Sequence, residues 1–257
     1  MTFRAPVLPL LALCLCSSLA ACKSGPSSAT PDEAALIKRE AAHIEGLLAR
    51  RSQAAGVLDT LIKALPAGAW LTEAAYDTGK VRAKGIAPSN IMVADYLSKL
   101  GRSQALGNVN LTSSTIKMVR GQAWVAFALE AGAHEAGTVS ARAEMPSASD
   151  VARLEKALSA RPESAGILRE FQRLASDAGL QMGQFASGAE VSGEFTASLP
   201  VTIEVSGGGT GVAEFLQGAA ALPGLWVVEK FSCKAAPADD PRAPVRAAIT
   251  AKAYFPK

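Results

Sequence analysis

The chain has 257 residues, 49% of them hydrophobic, 19% charged and 5% aromatic, a composition that excludes wholesale disorder. With 26 Lys and Arg against 23 Asp and Glu, the net charge of +3 is too balanced for an electrostatic nucleic-acid binder. After residue 25 no window reaches the roughly 20 apolar residues that span a bilayer, which excludes a polytopic membrane protein.

The chain opens on a short basic start, Met1 to Arg4, and an apolar run from Ala5 to Leu19, the pattern of a secretory signal over residues 1–21. The run closes on Leu19-Ala20-Ala21-Cys22, which resembles the bacterial lipobox, so Cys22 is the expected lipid attachment site and mature N-terminus. Acyl chains contribute about 0.8 kcal/mol per buried CH₂, enough for several of them to hold a protein on a membrane. With Cys14 and Cys16 removed and Cys22 acylated, Cys233 is left as a lone thiol, read as a small buried hydrophobe. Residues 22–31, rich in Ser, Pro and Gly, read as a flexible tether.

From Asp32 to Leu65 apolar residues recur at alternating steps of four and three: Ile37, Ala41, Ile44, Leu48, Ala55, Leu58, Ile62 and Leu65, with Arg51 the one misfit. This spacing predicts one helix, roughly 50 Å long, with a coiled-coil seam. Ile37, Ile44, Leu48, Leu58 and Ile62 are the candidate contacts for a partner helix. Strands are predicted at Trp70 to Tyr76 and Lys80 to Ile86 around Asp77-Thr78-Gly79, followed by a helix capped by Ser89 and ending near Leu100. Two more strands, Val109 to Val119 and Gln122 to Glu130, flank Arg120-Gly121. Ala131 to Met145, rich in Ala and Gly, reads as a linker.

The order then repeats. Helical patterns cover Asp150 to Ala160 and Pro162 to Gly179, and strands follow at Leu180 to Phe185 and Ser198 to Val205. The run Gly207 to Gly211 leads into a helix to Ala221, and strands close the chain at Trp226 to Cys233 and Arg246 to Phe255 around a polar, proline-rich surface loop. Helices against antiparallel strands make an α+β protein. The repeated order predicts two tandem ferredoxin-like two-layer sandwiches in their circularly ordered variant, the first preceded by the long helix. The expected divisions are residues 32–131, a linker over 132–149, and 150–257.

Chemistry is sparse. His43 and His134 are the only histidines, neither near a second His or a Cys, so no zinc set is predicted. No G-x-S-x-G elbow occurs. The Gly207 to Gly211 run lacks both the third glycine of G-x-G-x-x-G and the Lys-Ser/Thr of a P-loop, and reads as a turn. No catalytic residue, cofactor or metal is expected.

The stretch Leu65-Pro66-Ala67-Gly68-Ala69-Trp70-Leu71 resembles the PilN family of type IV pilus assembly proteins, and the likeness continues through Gly85-Ile86-Ala87 and Ser114 to Glu130. From Asp150 the chain is similar to the PilO family instead, at Gly179-Leu180, Leu199-Pro200-Val201-Thr202-Ile203, Gly207, Phe215-Leu216 and Leu222-Pro223-Gly224-Leu225. The resemblance implies a non-catalytic periplasmic scaffold of a type IV pilus machine, or of the related type II secretion machine. Its implied partners are other PilN-, PilO- and PilP-like proteins and the secretin, through homo- or hetero-dimers. The PilN family's cytoplasmic PilM-binding segment, and the membrane-crossing helix of both families, are expected to be replaced here by the lipoprotein signal. Lys23 after Cys22 favours the outer membrane. The alternative is a periplasmic ligand- or cell-wall-binding lipoprotein unrelated to pili.

Overall fold

The computed structural model describes residues 31–134, 158 and 163–257. The signal, Cys22, most of the tether, the linker from 135 onward and the helix expected over 150–160 (apart from Leu158) lie outside the described residues. The first half contains helices Pro31–Arg50 (α1) and Gln53–Lys63 (α2), strands Trp70–Asp77 (β1) and Lys80–Ala87 (β2), helix Asn90–Gly101 (α3), and strands Leu106–Val119 (β3) and Gln122–Ala133 (β4). The second contains helix Ser164–Asp177 (α4), strands Gln181–Ser187 (β5), Val191–Ser192 (β6) and Thr196–Gly207 (β7), helix Gly209–Ala221 (α5), and strands Leu225–Ala235 (β8) and Val245–Pro256 (β9).

Local chemistry explains most of these boundaries. Thr78 and Gly79 (φ 45° and 94°), like Arg120 and Gly121 (φ 50° and 80°), take the paired left-handed conformations of two-residue hairpins. Ser89 Oγ accepts the Met92 N–H at the start of α3. Helix α4 ends at Gly179 (φ 65°), where the Gly179 N–H reaches Ser176 O at 3.0 Å and the Leu180 N–H reaches Ala175 O at 2.8 Å. That is a Schellman closure, open to glycine because it has no Cβ to clash. Strand β4 runs to Ala133, three residues past the expected end at Glu130, and the two-residue β6 was too short to leave a periodic signal.

Two expectations are corrected. The halves do not form separate sheets: one nine-stranded sheet has the order β3-β4-β2-β1-β8-β9-β7-β5, with β6 also on β7, and every pairing is antiparallel. Each half contributes its four main strands in the same spatial order, third-fourth-second-first, and β1 of the first pairs with β8 of the second. One apolar core runs beneath both, containing Leu61, Tyr96 and Leu129 from the first half and Phe171, Ile203 and Phe215 from the second. Tyr96 is tied within it by a 2.9 Å bond from its hydroxyl to Leu61 O.

The long helix is also not continuous. It breaks at Arg51-Ser52, and α1 and α2 lie on opposite faces of the sheet. Alternation along β8 shows this: Leu225 and Val227 pack with Ala41, Ile44 and Leu47 of α1, whereas Trp226 and Val228 join the main core with α2 and α5. Arg51, the misfit in the apolar register, marks the crossing. Its Nη2 donates to Leu222 O at the C-terminal end of α5, where helix carbonyls carry partial negative charge. Burial lowers its pKa, and its Nε finds no acceptor among the described residues.

Candidate interaction surfaces

The joint between the halves is a built interface inside one chain. Residues Glu73 to Asp77 of β1 pair with Lys234 to Lys230 of β8. On the core side Ala74 lies opposite Cys233, and Tyr76 stacks on Phe231 with ring centroids 5.7 Å apart. On the open side the Lys230 ammonium bonds Asp77 at 3.1 Å, and Lys84 bonds Glu73 at 2.9 Å. These lysine bonds hold both carboxyls below the usual range, with Lys84 the main cause for Glu73 and Lys230 for Asp77.

A second contact crosses the joint. The loop of residues 236–244, between β8 and β9, reaches over the first half. Lys117 Nζ meets Asp239 at 2.6 Å, Arg120 meets Asp240 at 3.1 Å, and Trp70 Nε1–H donates to Ala238 O at 3.1 Å. Trp70 sits edge-on to Trp124 at 5.0 Å, giving the loop an aromatic bed. The sequence marked this loop as surface; its acidic pair and its basic partners lie over a hundred residues apart, so no local pattern links them. Beneath it is a cavity of about 260 Å³ lined by Leu58, Leu71, Val212, Cys233, Asp240 and Val245 among others. Burial pushes the Cys233 thiol up to about 12, so it is a packing residue at neutral pH rather than a nucleophile.

The seam residues separate into three groups. Ile37 is exposed near the start of α1, beside the exposed Leu36. Ile44 is buried against Leu225 and Val227, with Leu48 partly buried at the same cluster. Leu58 is buried in the main core, and Ile62 packs on it from the rim. Helix α1 is also tied at its flank: Arg39 meets Glu194 at 2.7 Å and lies 5.5 Å from the Phe195 ring centroid. His43 contacts that ring and lies 3.4 Å from Thr196 Oγ1. His134 packs on Gly107, far along the chain from His43.

The glycine run has a packing explanation. A Cβ at Gly207 would stand 2.6 Å from Leu180 Cδ2, and one at Gly211 would stand 2.5 Å from Ala178 O. The end of α4 packs closely against both glycines. Among the described residues no three His, Cys, Asp or Glu side chains gather as a metal set, and no helix is long and apolar enough to cross a membrane.

Comparison with known proteins places each half. Residues 56–133 match the family described as fimbrial assembly protein (PilN), and residues 163–256 match the type IVa pilus alignment subcomplex PilO C-terminal domain. Among solved structures, the type 4 fimbrial biogenesis protein PilO from Pseudomonas aeruginosa is 28% identical over 42% of this chain and 87% of its own, with a TM-score of 0.35. The core region of PilO from the same bacterium's type IV pilus system is also 28% identical, over 38% of this chain and 95% of its own, with a TM-score of 0.33. No curated protein matches the chain. The polypeptide therefore carries, in series, a segment that matches the PilN family and one that matches the PilO family, joined strand to strand in one sheet.

Proposed function

We propose that this protein is a non-catalytic periplasmic scaffold of a type IV pilus alignment complex, in which a PilN-like and a PilO-like unit act as one body. The observation that carries this reading is the coincidence of the two family matches with the two halves of the sheet, each with four main strands, held together by β1–β8 pairing and by the 236–244 loop. Two pilus-assembly families within one chain leave the unrelated ligand-binding lipoprotein without specific support. The element order α-β-β-α-β-β is that of a ferredoxin-like unit entered at its first helix, so each half is read as one such sandwich, fused here at an edge.

The scaffold acts by contact. Its partners are further alignment proteins, including PilP-like ones, and through them the secretin. A partner helix meets α1 at Leu36 and Ile37, the apolar side chains that the fold leaves exposed there. Lipid on Cys22 holds the body at a membrane, with the outer membrane favoured.

The test is genetic and biochemical together. A chromosomal deletion abolishes surface pili, and the full chain restores them. In the same strain Cys22→Ser moves the protein from the membrane fraction to the soluble periplasm. A deletion strain with normal pili overturns the scaffold reading, and a Cys22→Ser protein that stays with membranes overturns the anchor.

A further inference from the structure

We infer that the 236–244 loop is a releasable strap: it moves as one body about the end of the β8–β9 ladder, and its release opens the cavity at the joint to solvent while the two halves stay paired. The loop is folded on itself. Across its base the Ala236 N–H donates to Pro244 O at 3.2 Å, and within it the Asp240 N–H donates to Pro237 O at 3.3 Å and the Ala243 N–H to Asp240 O at 3.0 Å. The Asp240 carboxylate also accepts the Arg242 N–H at 3.1 Å. The ladder stops at Ala235 opposite Val245, so a bend there leaves all these bonds in place.

The polar contacts that hold the strap to the first half lie at the surface. Lys117 reaches Asp239, the Arg120 guanidinium reaches the Asp240 oxygen that Arg242 also uses, and Trp70 reaches Ala238 O. All four charged side chains are more than a third exposed, and ion pairs of that kind contribute little each and weaken with salt. The joint is made differently, by five residue pairs of β1 and β8 and by the buried Tyr76–Phe231 stack. Local opening draws on the weakest contacts, so the strap lets go before the joint does.

Arg120 and Asp240 form the pin. Arg120 sits at φ 50° in the turn between β3 and β4, where a two-residue hairpin favours Asn, Asp or Gly because a Cβ is crowded in the left-handed region. Arginine runs against that local preference, and its guanidinium is the group that spans from the hairpin tip to Asp240. Asp240 in turn shapes the loop through Arg242 and, with Pro241 and Ala243, walls the cavity. Cys233 lines the same cavity from β8, so its thiol reports whether the strap is shut.

The test uses the chain from residue 22 carrying Cys22→Ser, in which Cys233 is the sole thiol, and an uncharged aromatic disulfide as probe. The Cys233 thiolate attacks one sulfur of the probe, forms the mixed disulfide and releases the other half as a coloured thiolate. Each rate is taken relative to the same protein unfolded in urea. Removing the cations together, Lys117→Gln with Arg120→Asn, is expected to raise the rate about fivefold without lowering the urea midpoint, since Asn suits the left-handed turn. High salt is expected to speed the parent and to leave the double variant unchanged. Asp240→Asn, whose side-chain carbonyl still accepts the Arg242 N–H, is expected to raise the rate as well, whereas Asp77→Asn, which cuts an ion pair across the joint, is not. Equal rates for the parent and the double variant, or a parent that ignores salt, would overturn the strap. Rates that follow the urea midpoint, or an Asp77→Asn rate matching the double variant's, would overturn it too, by showing that Cys233 is exposed through global unfolding or through parting of the joint.

Discussion

At the scale of single residues, glycine and arginine decide where helices sit. Gly211 is helical, and elsewhere in a helix its replacement by Ala would be favourable by up to about 1 kcal/mol. Here the added Cβ meets the Ala178 carbonyl at 2.5 Å, a backbone atom that cannot swing aside. Overpacking of this kind costs about 1–3 kcal/mol, so Gly211→Ala is expected to lower the urea midpoint. Gly56 of α2 has nothing within 4 Å of the equivalent Cβ position, and Gly56→Ala is expected to raise it. Equal shifts in the two variants would remove the packing account of the glycine run. Arg51 follows similar logic: an apolar seam would place a hydrophobe there, but the residue must reach the C-terminal carbonyls of α5.

At the scale of elements, the sequence period was right about helix and wrong about continuity. Apolar spacing through residues 37–65 reports that one stripe is buried; it does not report against what. Ile44 and Leu58 lie on the same stripe yet bury against opposite faces of the sheet, in two separate clusters. Arg51 was the one local sign of the crossing. Each hairpin and cap was legible because Thr-Gly, Arg-Gly, Ser89 and Gly179 act through their own backbone within a few residues. The division of the stripe predicts a division of effects. A buried carboxylate without a partner costs several kcal/mol. Ile44→Asp is expected to free α1 alone, seen as faster proteolysis within residues 31–50 with an unchanged urea midpoint for the sheet. Leu58→Asp is expected to destabilise the whole fold by about 3–5 kcal/mol. Ile37→Asp, at an exposed site, should do neither. A common global loss for Ile44→Asp and Leu58→Asp would show α1 and the main core to be one cooperative unit.

At the scale of the whole molecule, the defining feature is the strand pairing that fuses the halves, and the sequence could not display it. Edge pairing between residues 73–77 and 230–234 relies on backbone groups that every residue has, and its specificity rests on side chains over 150 positions apart. The duplicated element order was readable; the joining of the two sheets was not. The joint has an electrostatic signature that titration can reach. Glu73 and Asp77 have their folded-state pKa values lowered by Lys84 and Lys230. A depressed carboxylate stabilises the fold fully above its unfolded value near 4, and that contribution is lost as pH falls through the lower folded value. Both pairs are largely solvent-exposed, so the effect is small and screened by salt. The urea midpoint of the parent is therefore expected to fall further between pH 5 and pH 3 than that of the Glu73→Gln, Asp77→Asn double variant, with the gap closing in high salt. Parallel pH profiles for the two proteins would show that these ion pairs, one along the first half and one across the joint, contribute nothing, leaving the backbone ladder and the Tyr76–Phe231 stack to hold the halves together.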